Sequence, residues 1–133
     1  IRMKVLCQNA LTLAKALEEL AGITVNYPGL ESSPYKPLVD KQFGGLGGAI
    51  LTIRAGSREK AFKLINSLKY AHIATNIGDL RTLVIHPSST IYLHSTKEEQ
   101  EHAGVYEDTI RISVGIEDVE DLIADFTQAI ENI

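Results

Sequence analysis

The sequence has a single cysteine, Cys7, among its 133 residues. One cysteine cannot form an internal disulfide, and its scarcity fits a protein of a reducing compartment. No apolar run approaches the roughly 20 residues that a membrane-spanning helix needs. The first four residues also lack the apolar stretch and the cleavage site of a signal peptide. These absences predict a cytoplasmic protein without a membrane partner.

An excess of positive charge is missing as well. The chain has 13 Lys and Arg against 17 Asp and Glu, which gives a formal net charge of −4. It therefore offers no basic field that would attract nucleic acid, and we expect no nucleic-acid partner. A chain of this length with 44% hydrophobic residues can bury a core without disulfides or metals. We expect one domain, residues 1–133.

The patterns that would indicate a metal or nucleotide site are incomplete. Four histidines are present: His72, His86, His94 and His102. None pairs with another histidine or a carboxylate at a zinc-binding spacing, so we predict no metal site. The glycines from Gly44 to Gly48 lack both a dinucleotide fingerprint and a Walker lysine, and they predict a turn or a bulge before the next strand. The carboxylates between Glu117 and Asp121 are predicted to lie in the first turn of the last helix, where the helix dipole favours them.

Hydrophobic periodicity predicts both strands and amphipathic helices. The predicted strands are 23–27, 49–53, 72–75, 82–85 and 109–114. The predicted helices cover 6–20, 38–43, a segment capped by Ser57, a short segment with a capping box of Thr96 and Glu99, and the chain after Val119. Because the elements alternate without regular βαβ spacing, we expect an α/β fold of the two-layer α+β type. Its sheet would have four to five largely antiparallel strands, with helices on one face.

The last predicted strand carries the strongest functional candidate, Arg111. Apolar and polar residues alternate there, so one face is apolar and the other presents this cation. Arg111 faces either bulk water or a group that attracts a guanidinium. The segments Asn76–Asp79 and His86–Thr90 also end strands with small polar residues. A guanidinium, an amide and main-chain N–H groups together can bind a small carboxylate, and we hypothesise that the three segments meet.

Longer motifs extend this hypothesis: Val25–Leu30, Phe43–Ala49, Asn66–Lys69, Gly78–Asp79, Thr82–Thr90, Glu98–Gln100, Ala103–Val105 and Ile110–Glu117. Together they resemble the C-terminal domain of the Cys/Met-metabolism enzymes. These enzymes are fold-type I proteins that depend on pyridoxal phosphate (PLP). The sequence Asn-Ile-Gly-Asp at 76–79 is most similar to the form found in O-acetylhomoserine sulfhydrylases, since cystathionine γ-synthases and the lyases usually show Ser-Leu-Gly-Gly there.

The resemblance implies roles for two residues. Arg111 would bind the α-carboxylate of the amino-acid substrate, and Asn76 would assist it. The Schiff-base lysine and the other PLP-binding residues of the family belong to a large N-terminal domain that is absent from this sequence. The resemblance therefore implies no catalytic residue and no cofactor-binding residue in this chain. Lys69, in a stretch superficially like the lysine motif, is expected to be structural.

The resemblance also implies a function for the longer parent protein. It would be a PLP-dependent transferase that converts O-acetylhomoserine and sulfide or a thiol to homocysteine or methionine, with release of acetate. It would work as a cytoplasmic homotetramer, and the 133-residue chain alone would be inactive. Within the family, a cystathionine γ-synthase or methionine γ-lyase domain is the alternative. Outside it, the alternative is a stand-alone α/β module that binds a small ligand without catalysis.

Overall fold

A computed structural model describes all 133 residues of the chain. The regular elements are, in order, α1 (Arg2–Glu18), β1 (Thr24–Asn26), α2 (Lys36–Phe43), β2 (Ile50–Arg54), α3 (Arg58–Ser67), β3 (His72–Ile73), β4 (Leu83–Ile85), α4 (Lys97–His102), β5 (Thr109–Ser113) and α5 (Val119–Glu131). A short 3₁₀ turn, Pro87–Ser89, follows β4. No helix combines the length and the hydrophobicity that a membrane span requires.

The five strands form one sheet in the order β1-β2-β5-β4-β3. Three of the four pairings are antiparallel, and β3 lies parallel to β4. The predicted α/β fold with a largely antiparallel sheet is confirmed, and the parallel edge pair makes this sheet mixed. The strand predicted at 72–75 is only two residues long. The strand β5 lies at the centre of the sheet, so its side chains have neighbours on both sides.

One face of the sheet carries the helices, as predicted. The helix α1 contacts β1 and β2, α3 contacts β5, and α5 packs against both of these helices. The residues of β5 that point to this layer, Ile110 and Ile112, are fully buried. On α5, Leu122 and Phe126 are fully buried at helical spacing. These side chains belong to one core cluster of 20 buried residues.

The local signals at the helix ends act as the sequence predicts. The Ser57 hydroxyl accepts the backbone N–H of Lys60 at 3.2 Å, which caps α3. The capping box of Thr96 and Glu99 is complete at the start of α4. The glycine segment begins with Gly44, which ends α2 in the left-handed conformation, φ +60°. The prediction that these glycines form a turn is therefore confirmed.

Tyr27 fastens the connection between α2 and β2. Its ring is 1% exposed, and its hydroxyl donates to the carbonyl oxygen of Gly48 at 2.9 Å. Burial of the ring, and secondarily the neighbouring Cys7 thiol, raise the pKa of Tyr27 to about 12. The folded chain thus favours the neutral phenol, whereas an unfolded tyrosine ionises near pH 10.

This shift predicts a loss of stability in alkali. The contribution of neutral Tyr27 is complete below pH 10, and it is lost as the pH rises through the folded-state pKa of about 12. Urea unfolding of the wild type and of Tyr27→Phe, compared between pH 9 and pH 12, isolates it. We expect the free energy of unfolding to fall by about 1–2 kcal/mol more in the wild type. Parallel pH curves for the two proteins would contradict the burial argument.

Candidate functional site

Arg111 stands at the middle of the central strand. It is paired with Thr52 of β2 on one side and with Ile85 of β4 on the other. Its chain neighbours Ile110 and Ile112 point into the helix-covered core. Because strand side chains alternate, Arg111 emerges on the opposite face of the sheet.

The guanidinium of Arg111 is directed at the loop that follows β3. Its Nη2 group donates to the carbonyl oxygens of Thr75 and Asn76, at 2.8 and 3.2 Å. The Nε atom is buried and has no hydrogen-bond partner. Burial lowers the pKa of the Arg111 guanidinium, which nevertheless stays protonated at neutral pH because arginine titrates far above it. Arg111 is therefore a partly desolvated cation that faces the Asn76 corner rather than open water.

The loop and the guanidinium enclose an open cleft of about 690 Å³. Its lining residues are Arg2, Thr75, Asn76, Ile77, Gly78, Asp79, Leu80 and Arg111. The Asp79 carboxylate is engaged locally, because it accepts the backbone N–H of Arg81 at 2.9 Å. This hydrogen bond, with the nearby Arg81 charge, lowers the pKa of Asp79. The carboxylate of this aspartate therefore already has partners within its own turn.

The structure brings together two of the three segments that were expected to meet at Arg111. Asn76 lies beside Arg111, and its carbonyl group makes the contact, while its side chain is exposed. The segment 86–90 does not line the cleft. The His86 ring is 3% exposed, and its two nitrogens lie 2.8 Å from the Ser89 hydroxyl and the Glu107 carbonyl. The hypothesis that all three segments meet is wrong for this one, because the His86 ring is held between its neighbour Ser89 and the Glu107 carbonyl before β5, away from the cleft.

Several residues around the cleft are not found from the sequence. Arg2 of α1 contributes a second cation to the lining. The sequence predicts Glu117 in the first turn of the last helix, but α5 begins at Val119 with Asp118 as its N-cap. The Glu117 carboxylate instead accepts hydrogen bonds from the backbone N–H and the hydroxyl of Thr82. Strand periodicity does not extend to Glu117, because β5 ends at Ser113 and Glu117 lies in a bend.

Comparison with known proteins identifies the chain. The family profile described as Cys/Met metabolism PLP-dependent enzyme matches residues 1–131. The chain belongs to this family. It is 46% identical to homocysteine synthase of Schizosaccharomyces pombe over 133 residues, which cover 98% of this chain and 31% of that protein. It is 40% identical to L-methionine gamma-lyase of Fusobacterium nucleatum subsp. nucleatum over 134 residues, which cover 100% of this chain and 34% of the lyase.

A solved structure gives the same result for the fold. A Campylobacter jejuni protein assigned as an O-acetylhomoserine (thiol)-lyase superposes with a TM-score of 0.93 at 37% identity, over 98% of this chain and 31% of that one. Its crystal structure contains N'-pyridoxyl-lysine-5'-monophosphate. The resemblance to fold-type I PLP enzymes is thus confirmed. The 133-residue chain spans about a third of the length of the relatives that it matches.

The cleft beside Arg111 lacks the lysine that a Schiff base with the family's cofactor would need. No lysine lines the cleft beside Arg111. Lys69 follows α3, where its backbone N–H donates to the Asp125 carboxylate at 2.9 Å, and it is absent from the cleft lining. We therefore assign no residue of the chain to PLP. What the cleft offers is a guanidinium held against two backbone carbonyls, and such a group can bind and orient a carboxylate.

Proposed function

We propose that residues 1–133 form the C-terminal, substrate-carboxylate-binding domain of a PLP-dependent sulfhydrylase. The parent enzyme would convert O-acetylhomoserine and sulfide or a thiol to homocysteine or methionine, with release of acetate. The observation that carries this proposal is the direction of Arg111, which points from the central strand into a cleft at the Asn76 corner. Asn76 would serve this site through its carbonyl contact with the guanidinium.

In the reaction of the parent enzyme, this domain would orient the substrate. A carboxylate held at two points by a planar guanidinium has a fixed direction, which sets the remainder of the substrate relative to the reacting centre. The Nη1 group of Arg111 makes no hydrogen bond within the chain and would be the first donor to meet a substrate carboxylate. The rest of the parent would bind PLP, so the 133-residue chain alone would be inactive.

The two relatives favour different reactions, since one is a homocysteine synthase and the other a methionine gamma-lyase. The experiment is to purify the full-length parent and to supply O-acetylhomoserine with sulfide, or methionine alone. We expect homocysteine and acetate in equal amounts from the first mixture and little thiol from the second. Rapid release of thiol from methionine, without homocysteine synthesis, would replace this proposal by the lyase alternative.

The same preparation tests two further parts of the proposal. The parent should be a cytoplasmic homotetramer, so light scattering should give four times the subunit mass. The isolated 133-residue chain should stay colourless with added PLP and should not turn over substrate. Binding of a small ligand by the isolated chain, with no upstream PLP domain in its reading frame, would instead favour a stand-alone binding module.

A further inference from the structure

Alternate residues of β5 and of the segment after it hold a single loop. This loop, residues 75–82, connects β3 to β4 and is called the cleft loop below. The residues that hold it are Arg111, Ser113, Gly115 and Glu117. Arg111 and Ser113 lie on one face of β5, and Gly115 and Glu117 continue toward the same loop after the strand ends. Two residues of β5 and two residues just after it therefore hold the same loop.

Each of these residues contacts a different part of the cleft loop. Arg111 binds the carbonyl groups at its start. The Ser113 hydroxyl accepts the backbone N–H of Gly78 at 3.1 Å. The backbone N–H of Gly115 donates to the Thr82 hydroxyl oxygen at 3.0 Å, and that hydroxyl donates to Glu117 Oε2 at 2.9 Å. The other carboxylate oxygen of Glu117 accepts the backbone N–H of Thr82.

The segment from Gly115 to Glu117 is in turn hydrogen-bonded to α1. The side-chain amide of Asn9, on α1, donates to the carbonyl oxygens of Gly115 and Glu117 at 3.1 and 2.9 Å. The backbone N–H of Ile116 donates to the carbonyl of Leu80 at 2.8 Å. The exit of the cleft loop is thus fixed to both β5 and α1.

We propose that Glu117 and Thr82 are positioning residues for the carboxylate site of Arg111. Only two hydrogen bonds within the chain orient the guanidinium. In both, Nη2 of Arg111 donates to a carbonyl oxygen of the cleft loop, and Nε has no partner. The place of those carbonyls depends on where the loop is anchored. Ala74, just before it, is held to Val84 of β4, and beyond Arg111 its anchors lie at Ser113 and in residues 115–117. Glu117 and Thr82 therefore set the direction of Arg111 without touching the substrate. This inference rests on the proposed carboxylate-binding role of Arg111.

The test uses the full-length parent enzyme and compares matched carboxylates. Glu117→Ala and Thr82→Val remove the anchor, Thr82→Ser keeps it, and Glu99→Ala removes a carboxylate that accepts a backbone N–H at the remote start of α4. We expect KM for O-acetylhomoserine to rise about tenfold in the first two variants, because a small misplacement of a binding group costs affinity. Thr82→Ser and Glu99→Ala should keep the wild-type KM.

A double variant and an exchange measurement separate positioning from stability. Arg111→Ala combined with Glu117→Ala should show no higher KM than Arg111→Ala alone, because both act on one interaction. If Glu117→Ala does not fold, Glu117→Gln keeps one acceptor oxygen and should raise KM about threefold. Amide hydrogen exchange in residues 75–82 should be faster in Glu117→Gln than in Glu99→Ala.

The outcomes distinguish this inference from the proposed function. If Arg111→Ala raises KM but Glu117→Ala, Glu117→Gln and Thr82→Val do not, the positioning role is wrong and the carboxylate role of Arg111 stands. Faster exchange of the loop amides with an unchanged KM leads to the same conclusion. If Arg111→Ala itself leaves KM unchanged, the proposed function and the positioning role both fail.

Discussion

Replacing Arg111 with alanine in the full-length enzyme should raise KM for O-acetylhomoserine about hundredfold, which corresponds to about 3 kcal/mol. The variant loses the charge-assisted hydrogen bonds to the substrate carboxylate. It also leaves the carbonyl groups of Thr75 and Asn76 without their donor. The absorbance of bound PLP should stay nearly unchanged, because no residue of the cleft is assigned to the cofactor. Steady-state kinetics and an absorption spectrum of the same preparation check both expectations.

Two further variants make the result specific. Arg111→Lys keeps the positive charge but cannot make a planar two-point contact, so its KM should remain well above that of the wild type. Arg81→Ala removes a nearby exposed arginine that pairs only with Asp79, and its KM should be unchanged. If Arg111→Ala kept wild-type kinetics, or if Arg81→Ala were equally impaired, the assignment of the carboxylate to Arg111 would be wrong.

Gly115→Ala should be the most disruptive single-methyl change near the cleft. A Cβ at this position would lie 2.6 Å from the carbonyl carbon of Arg81 and would also collide with the Leu80 carbonyl oxygen and the Glu117 carboxylate. Two of these neighbours are backbone, so relief requires the cleft loop to move. We expect the free energy of unfolding to fall by about 2–3 kcal/mol. Urea denaturation of the variant and the wild type measures this difference.

Gly22→Ala is the matched control for that prediction. Gly22 has φ +86° and no heavy atom within 4 Å of the place that a Cβ would occupy, so alanine there meets backbone strain without a collision. Its cost should be only about 1 kcal/mol. Equal costs for the two variants would show that the close approach of the segment after β5 to the cleft loop does not depend on Gly115.

The fold is predictable wherever the signal is local. The alternation in 109–114 and the helical spacing after Val119 correspond to β5 and α5, and the caps at Ser57 and Thr96 occur as predicted. The pairing of β3 with β4 is not predictable in this way. Its parallel direction depends on how the cleft loop crosses the sheet, which no local pattern encodes.

The candidate site is predictable in part for the same reason. Asn76 and Arg111 are 35 positions apart in sequence, and the shared motif of a known family, rather than periodicity, suggests their proximity. His86 follows β4 directly, whereas Asn76 lies three residues beyond β3, and the ring hydrogen bonds of His86 hold it away from the cleft. The contact of Glu117 with Thr82 cannot be predicted from the sequence, because an acidic residue near the start of a helix is more simply explained by the helix dipole. The structure shows the other contact of Glu117, because Thr82 lies within hydrogen-bond distance of its carboxylate.

The most direct measurement is a crystal structure of the full-length enzyme with a bound amino-acid substrate or an unreactive analogue. We expect a carboxylate oxygen of the ligand at about 2.8 Å from a terminal nitrogen of Arg111, within the cleft formed by the Asn76 corner. If the ligand carboxylate is bound by other residues, while Arg111 contacts only the carbonyls of Thr75 and Asn76, the central claim is contradicted.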